Sequence, residues 1–166
     1  MKINFINFSD PKDHKFFLLT GGEFVLKLDA IDMILQKLAN NDFTEKVSIS
    51  QDELDTIQEI VSMNLSGSLF QENLIIHIKH TSGKFPEKIK LFLEDEEIFN
   101  SPNIALIVES SIEKTPASGA WIKNFDANGL IINCSKLKTM EEKIWLKRQL
   151  SFLPNDFLPI FGGSIF

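Results

Sequence analysis

At 166 residues with a net charge of −6, the chain has room for one ordinary domain and a short appendage, and not for two full domains. Its 43 % hydrophobic and 24 % charged residues are near globular averages, which excludes a disordered chain, and the acidic balance argues against a broad DNA-tracking surface, which needs surplus Lys and Arg. One cysteine, Cys134, rules out an intrachain disulfide and a cysteine zinc cluster, and suits a reducing cytoplasm.

Residues 1–15 interrupt their apolar positions with Asp10, Lys12 and Asp13, unlike a signal peptide, and no window approaches the roughly 18 apolar residues of a membrane span. Neither export nor membrane insertion is expected. The apolar run at 16–19 ends at Thr20-Gly21-Gly22 and reads as a buried strand entering a tight turn. Phe24, Leu28, Ile31, Leu35 and Leu38 then recur at spacings of four and three, the stripe of an amphipathic helix that stops at Asn40-Asn41. Val47-Ser48-Ile49 form a short strand. Ser50 with Glu53 matches a capping box ahead of a second helix lined by Leu54, Ile57, Val61 and Leu65.

After the Ser66-Gly67-Ser68 break, residues 74–78 are apolar and β-branched, as expected of a central strand. Residues 85–99 read as one helix with Ile89, Phe92 and Ile98 inward, 104–108 as a strand, 117–125 as a short helix and 130–134 as the last strand. The segment 138–152 is helical in pattern, and Pro154 and Pro159 interrupt the remaining residues. Five strands alternating with helices predict a three-layer α/β fold with a mostly parallel five-stranded sheet, because parallel neighbours need crossover connections. The rule for such sheets places a ligand or partner surface at the carboxyl ends of the strands.

The strand–Gly21-Gly22–helix junction is where a nucleotide-binding protein of this class cradles phosphates with backbone N–H groups. A Walker A loop continues to Gly-Lys and Ser or Thr; here Gly22 is followed by Glu23, whose carboxylate opposes phosphate. Gly83-Lys84 also fails, with Ile78 and Phe85 at the positions of the first glycine and the hydroxyl. The single arginine, Arg148, reads as part of a solvated helix face rather than an arginine finger. His77 and His80, three apart on a strand, point to opposite faces and are poorly placed to share a metal, while His14 stands alone. Cys134 reads as a small buried thiol, and Glu94-Asp95-Glu96-Glu97 as a solvated helix end. No cofactor, metal or catalytic constellation is expected.

The loop Ser66-Gly67-Ser68-Leu69-Phe70-Gln71-Glu72-Asn73 sets two large apolar residues among small and polar ones. Leu69 and Phe70 either fold back to cap the core beside Leu74 or project as a hydrophobic anchor for a partner's pocket.

The stretch from Phe17 to Leu26 around Thr20-Gly21-Gly22-Glu23 resembles the opening strand, degenerate glycine turn and helix of the bacterial DNA polymerase III delta-subunit family. Ser68-Leu69-Phe70 followed by Leu74-Ile75-Ile76 is similar to that family's clamp-binding loop and next strand. Asn103 to Val108, Ala120-Trp121 and the strand ending at Cys134 match further landmarks in order, and Lys143, Trp145 and Leu146 resemble the start of its helical lid. The resemblance covers about residues 16–150. It implies an AAA+-like fold whose nucleotide site (Gly21, Gly22, Glu23) is degenerate. It also implies a clamp-binding domain at 1–137, an incomplete lid at 138–166 and no collar domain, as in a fragment or a shortened product. The implied function is that of the clamp-loader subunit of the DNA polymerase III holoenzyme, non-catalytic itself, which binds and opens the sliding clamp (the beta subunit) through Ser68, Leu69 and Phe70. Partners would be the clamp and, for a complete chain, other loader subunits; DNA contact would be indirect and the location cytoplasmic. Gly67 stands where the family commonly carries a bulky apolar residue, which implies a smaller wedge. A divergent P-loop NTPase and another non-catalytic loader subunit are the alternatives.

Overall fold

Strands that are apolar on both faces need cover on both faces, and three such runs form the centre of the sheet. They are β2 (Phe16–Thr20), β4 (Leu74–His80) and β5 (Ile104–Ser110), alongside β1 (Lys2–Asn4), β3 (Glu45–Ser50) and β6 (Leu130–Asn133). The structure is a computed structural model and describes residues 1–65 and 73–151. The sheet order is β1-β6-β2-β5-β4-β3, and every neighbouring pair is parallel.

The expected five strands are therefore six. The addition, β1, lies on the edge of β6 with Lys2 opposite Ile131 and Ile3 opposite Ile132. Three residues with both ends exposed carry too little periodicity to be read locally.

The helices are α1 (Phe24–Asn40), α2 (Asp55–Leu65), α3 (Glu87–Leu93), α4 (Glu96–Asn100), α5 (Ala120–Asn128) and α6 (Thr139–Leu150). One face of the sheet offers Phe16, Leu18, Ile76, Ile78, Leu106 and Val108 to α2, α3, α4 and α5, which answer with Ile57, Val61, Ile89, Phe92, Phe99, Trp121 and Phe125. Alternation along the strands turns Phe17, Leu19, Ile75 and Ile107 to the other face, which α1 covers. Helices on both faces of a parallel sheet make the three-layer α/β class.

Three local expectations are corrected. The helix read over 85–99 is two helices: the first closes at its C-cap Glu94, and Asp95 caps the second by accepting the Glu97 N–H at 3.0 Å; the acidic run itself is exposed. On α1, Phe24 and Leu28 are 60 % and 47 % exposed, and the buried face is Leu26, Lys27, Ala30, Ile31, Ile34 and Leu38. The helix carries more apolar residues than one face can bury, so two stripes overlap and the sheet selects one. Ser50, finally, does not cap the backbone: its Oγ meets Glu53 Oε1 at 3.1 Å beside a 3-10 turn at Gln51–Glu53.

By contacts the chain forms two compact units, residues 1–135 and residues 136–166. In the second, α6 has an N-terminal turn closed by the Glu141 carboxylate accepting the Lys138 N–H at 2.9 Å, and it exposes Met140 and Ile144. No helix among the described residues is long and apolar enough to cross a membrane.

Candidate functional site

The chain leaves β2 at Thr20 and must reverse at once to start α1 over the sheet. Gly21 makes that reversal at φ +104°, where an L side chain is strained. A Cβ there would lie 2.2 Å from the Cys134 carbonyl carbon and 2.7 Å from Ser135 N, so the position admits glycine alone. Glu23 then occupies the N-cap of α1 without a side-chain cap bond.

Two of the turn's N–H groups are already committed. Gly21 N–H donates to Ile112 O at 2.6 Å and Glu23 N–H to Cys134 O at 3.1 Å, while Thr20 O accepts from Cys134 N–H at 2.7 Å. Thr20 Oγ1 and Thr115 Oγ1 are 2.8 Å apart. Strand ends on either side thus hold the turn closed. Gly22 and Glu23 are exposed, and the Glu113 carboxylate lies 3.8 Å from where a Gly22 Cβ would stand. Two carboxylates therefore border the turn.

Beneath α1, at the carboxyl ends of β4 and β5, lies a buried polar group of side chains. His77 Nε2 donates to Glu109 Oε2 at 3.0 Å, and Lys27, 6 % exposed, donates through Nζ to Ser110 O at 3.0 Å. The His77 hydrogen bond holds the Glu109 carboxyl below the ordinary carboxylate range; burial opposes this, and the charges of His77, Lys27 and Lys79 add to it. On the opposite face His80 Nδ1 meets Ser110 Oγ at 2.9 Å and its ring packs edge-on against Phe85, which stacks on Trp121. The two histidines do face opposite ways. Cys134 is fully buried, and burial pushes its thiol up to about 12, so it is protonated at neutral pH. Among the described residues no group of three His, Cys, Asp or Glu side chains is placed to hold a metal ion.

Sequence reading missed Lys27 and Glu109. Their signal is present, since Lys27 interrupts an apolar helix face and Glu109 an apolar strand, but each in isolation is indistinguishable from a solvated charge. Gly83-Lys84 lie in an exposed loop with Gly83 at φ +79°, and Arg148 is exposed on α6. Ser68, Leu69 and Phe70 lie outside the described residues. In chain order they fall between the end of α2 and the amino end of β4, whereas the glycine turn is at the carboxyl end of β2.

A fold with the glycine turn at the carboxyl end of an inner strand narrows the choice of relatives, and sequence decides it. The family described as "DNA polymerase III, delta subunit" matches residues 17–135, from β2 through Ser135. The chain belongs to the DNA polymerase III delta-subunit family. No curated protein sequence matches significantly. Among solved structures, the Bacillus subtilis DNA clamp loader delta protein YqeN is similar with a TM-score of 0.57 at 15 % identity, over 83 % of this chain and 43 % of that one. Saccharomyces cerevisiae RIF2 is similar with a TM-score of 0.50 at 18 % identity over 87 % of this chain and 58 % of that one. Rhizobiales Trip13 is similar with a TM-score of 0.52 at 12 % identity over 83 % and 51 %. At such identities the likeness is one of fold, and this delta-family chain spans less than half the length of YqeN.

Proposed function

We propose that this chain is the clamp-binding part of a clamp-loader delta subunit, a cytoplasmic protein without catalysis of its own that binds the sliding clamp of DNA polymerase III and helps to open it. The observation that carries this reading is the family match over residues 17–135, which takes in both the glycine turn and the segment bearing Ser68, Leu69 and Phe70. Residues 1–137 form the clamp-binding domain, and 138–166 begin a helical lid. Leu69 and Phe70 enter a hydrophobic pocket on the clamp, where burial of each side chain contributes on the order of 2 kcal/mol. Other loader subunits are partners of the complete assembly, and DNA is reached through the clamp.

The absence of catalysis is supported by the chemistry of the turn. A phosphate cradle needs free N–H groups, and those of Gly21 and Glu23 are bonded to backbone carbonyls. Glu23 adds a carboxylate, and like charges about 4 Å apart repel by about 4 kcal/mol at an intermediate dielectric. Gly21, Gly22 and Glu23 are in this reading a nucleotide turn that no longer takes nucleotide.

Binding of the full chain to the cognate sliding clamp, measured by surface plasmon resonance for the wild type and a Leu69→Ala, Phe70→Ala double variant, tests the reading. The expected result is a loss of about two orders of magnitude in affinity with the denaturation midpoint within about 0.5 kcal/mol of wild type. A collapse of stability would make the two residues packing, since large-to-small core changes cost about 2–5 kcal/mol each. Unchanged affinity would move the clamp contact elsewhere.

A further inference from the structure

We propose that Glu109 is the internal counter-ion of the vestigial nucleotide turn: its carboxylate holds Lys27 of α1 and His77 of β4 at the end of β5, so that the chain's own charges fix the turn and α1. The proposal rests on the reading that the turn takes no nucleotide.

Lys27 stands on the buried face of α1, one turn after Glu23, whose carbonyl accepts the Lys27 N–H at 3.2 Å. A buried ammonium is tolerated when an anion neutralises it and its protons are bonded. Ser110 O takes one proton at 3.0 Å, and the neighbouring residue in β5 is Glu109, which turns toward α1 while its own N–H and C=O stay in the sheet. From the adjacent strand His77 Nε2 bonds the same carboxylate, with 5 % and 14 % of the two side chains exposed. One carboxylate thus bonds His77 of β4 directly and acts by charge, without an ion-pair contact, on the Lys27 ammonium that α1 brings to the next residue of β5. Lys79 of β4 and Lys27 both act on Glu109 by charge, and Asp29 of α1 and the Cys134 thiol share the neighbourhood. Asp29 is the rival counter-ion, and the test includes it.

The experiment is a double-variant cycle on the full chain, Glu109→Gln, Lys27→Met and both together, read by amide hydrogen exchange at residues 27–33 and at Leu18 and Ile107. Each single change takes one charged partner from the buried group, so exchange at 27–33 should speed up about tenfold, equal to about 1.4 kcal/mol, while Leu18 and Ile107 hold. The double variant removes both charges and should be no faster than the worse single. Additive effects, unchanged singles, or an Asp29→Asn variant that reproduces Glu109→Gln would overturn the proposal. Should Glu109→Gln fail to fold, the double variant decides: restored folding supports the counter-ion, continued unfolding refutes it. Slower exchange at residues 21–27 of the wild type on adding ATP and magnesium would refute the reading of the turn as vestigial, and the cycle would still report on Glu109.

Discussion

His77 on β4 and Glu109 on β5 share a hydrogen bond of 3.0 Å between adjacent parallel strands, although the residues directly paired across those strands are His77 with Ile107 and Lys79 with Glu109. The contact is therefore diagonal, reached by two long side chains on the face that α1 covers.

That geometry sets an acid dependence. The hydrogen bond from His77 holds the folded-state pKa of Glu109 below its ordinary value of 4.5. A depressed carboxylate stabilises the fold above the unfolded value, and that contribution disappears as pH falls from about 4.5 through the folded value. Glu109→Gln should cost about 1–3 kcal/mol near pH 7 by leaving the buried Lys27 ammonium and the His77 N–H less well paired. Urea midpoints of both proteins followed downward in pH should begin to converge near pH 4.5 and meet only below the depressed folded-state value. A gap that stays constant through the acid range would mean that the lost interaction is packing, not charge.

Gly21 and Gly83 both have positive φ, at +104° and +79°, yet they answer to different constraints. A Cβ at Gly83 meets nothing within 4 Å, whereas at Gly21 it strikes the Cys134 carbonyl at 2.2 Å. Gly83→Ala should therefore cost the left-handed backbone penalty alone, about 1–2 kcal/mol. Gly21→Ala must also separate β2 from the end of β6, and should cost more than about 3 kcal/mol or prevent folding. Equal denaturation midpoints for the two variants would show that the turn has room to shift.

The central strands were legible because β2, β4 and β5 are apolar on both faces, a pattern that a parallel sheet between helices requires. The edge strand β1 was not, since three residues acquire strand geometry from the open edge of β6 rather than from their own pattern. The order strand–Gly21-Gly22–helix marked the turn correctly, but its closure by Ile112 and Cys134 depends on residues about ninety or more positions away. Glu109 was illegible for the same reason: a lone acid near a strand end reads as the chain leaving the core until His77 and Lys27 arrive from two other elements. The segment with Leu69 and Phe70 was legible as an anomaly of composition, and its role rests with the clamp-binding measurement.

The Cys134 thiol should be silent in the native protein. It is fully buried with its pKa pushed up to about 12, so at about pH 8 the thiolate that reacts with Ellman's reagent is scarce and sealed from solvent. One equivalent should react on addition of denaturant and much less than one without it. Rapid reaction of the native protein would show that the junction between β6 and the glycine turn opens readily.

The phase of α1 offers the sharpest contrast between sequence pattern and packing. Phe24, Leu28 and Ile31 lie on one heptad-like stripe, yet the first two are exposed and Ile31 is buried with Ala30 and Ile34 against the sheet. If the stripe decided packing, truncating any of the three would open a cavity of similar cost. In the structure Phe24→Ser and Leu28→Ser change surface positions and should stay within about 0.5 kcal/mol of wild type, with solubility improved by the loss of exposed apolar area. Ile31→Ala removes core volume and should cost about 2–5 kcal/mol. Guanidinium midpoints of the three single variants check the phase directly, because a helix packed on the stripe of Phe24, Leu28 and Ile31 would make all three changes comparably costly, with Phe24→Ser among the most damaging in the chain.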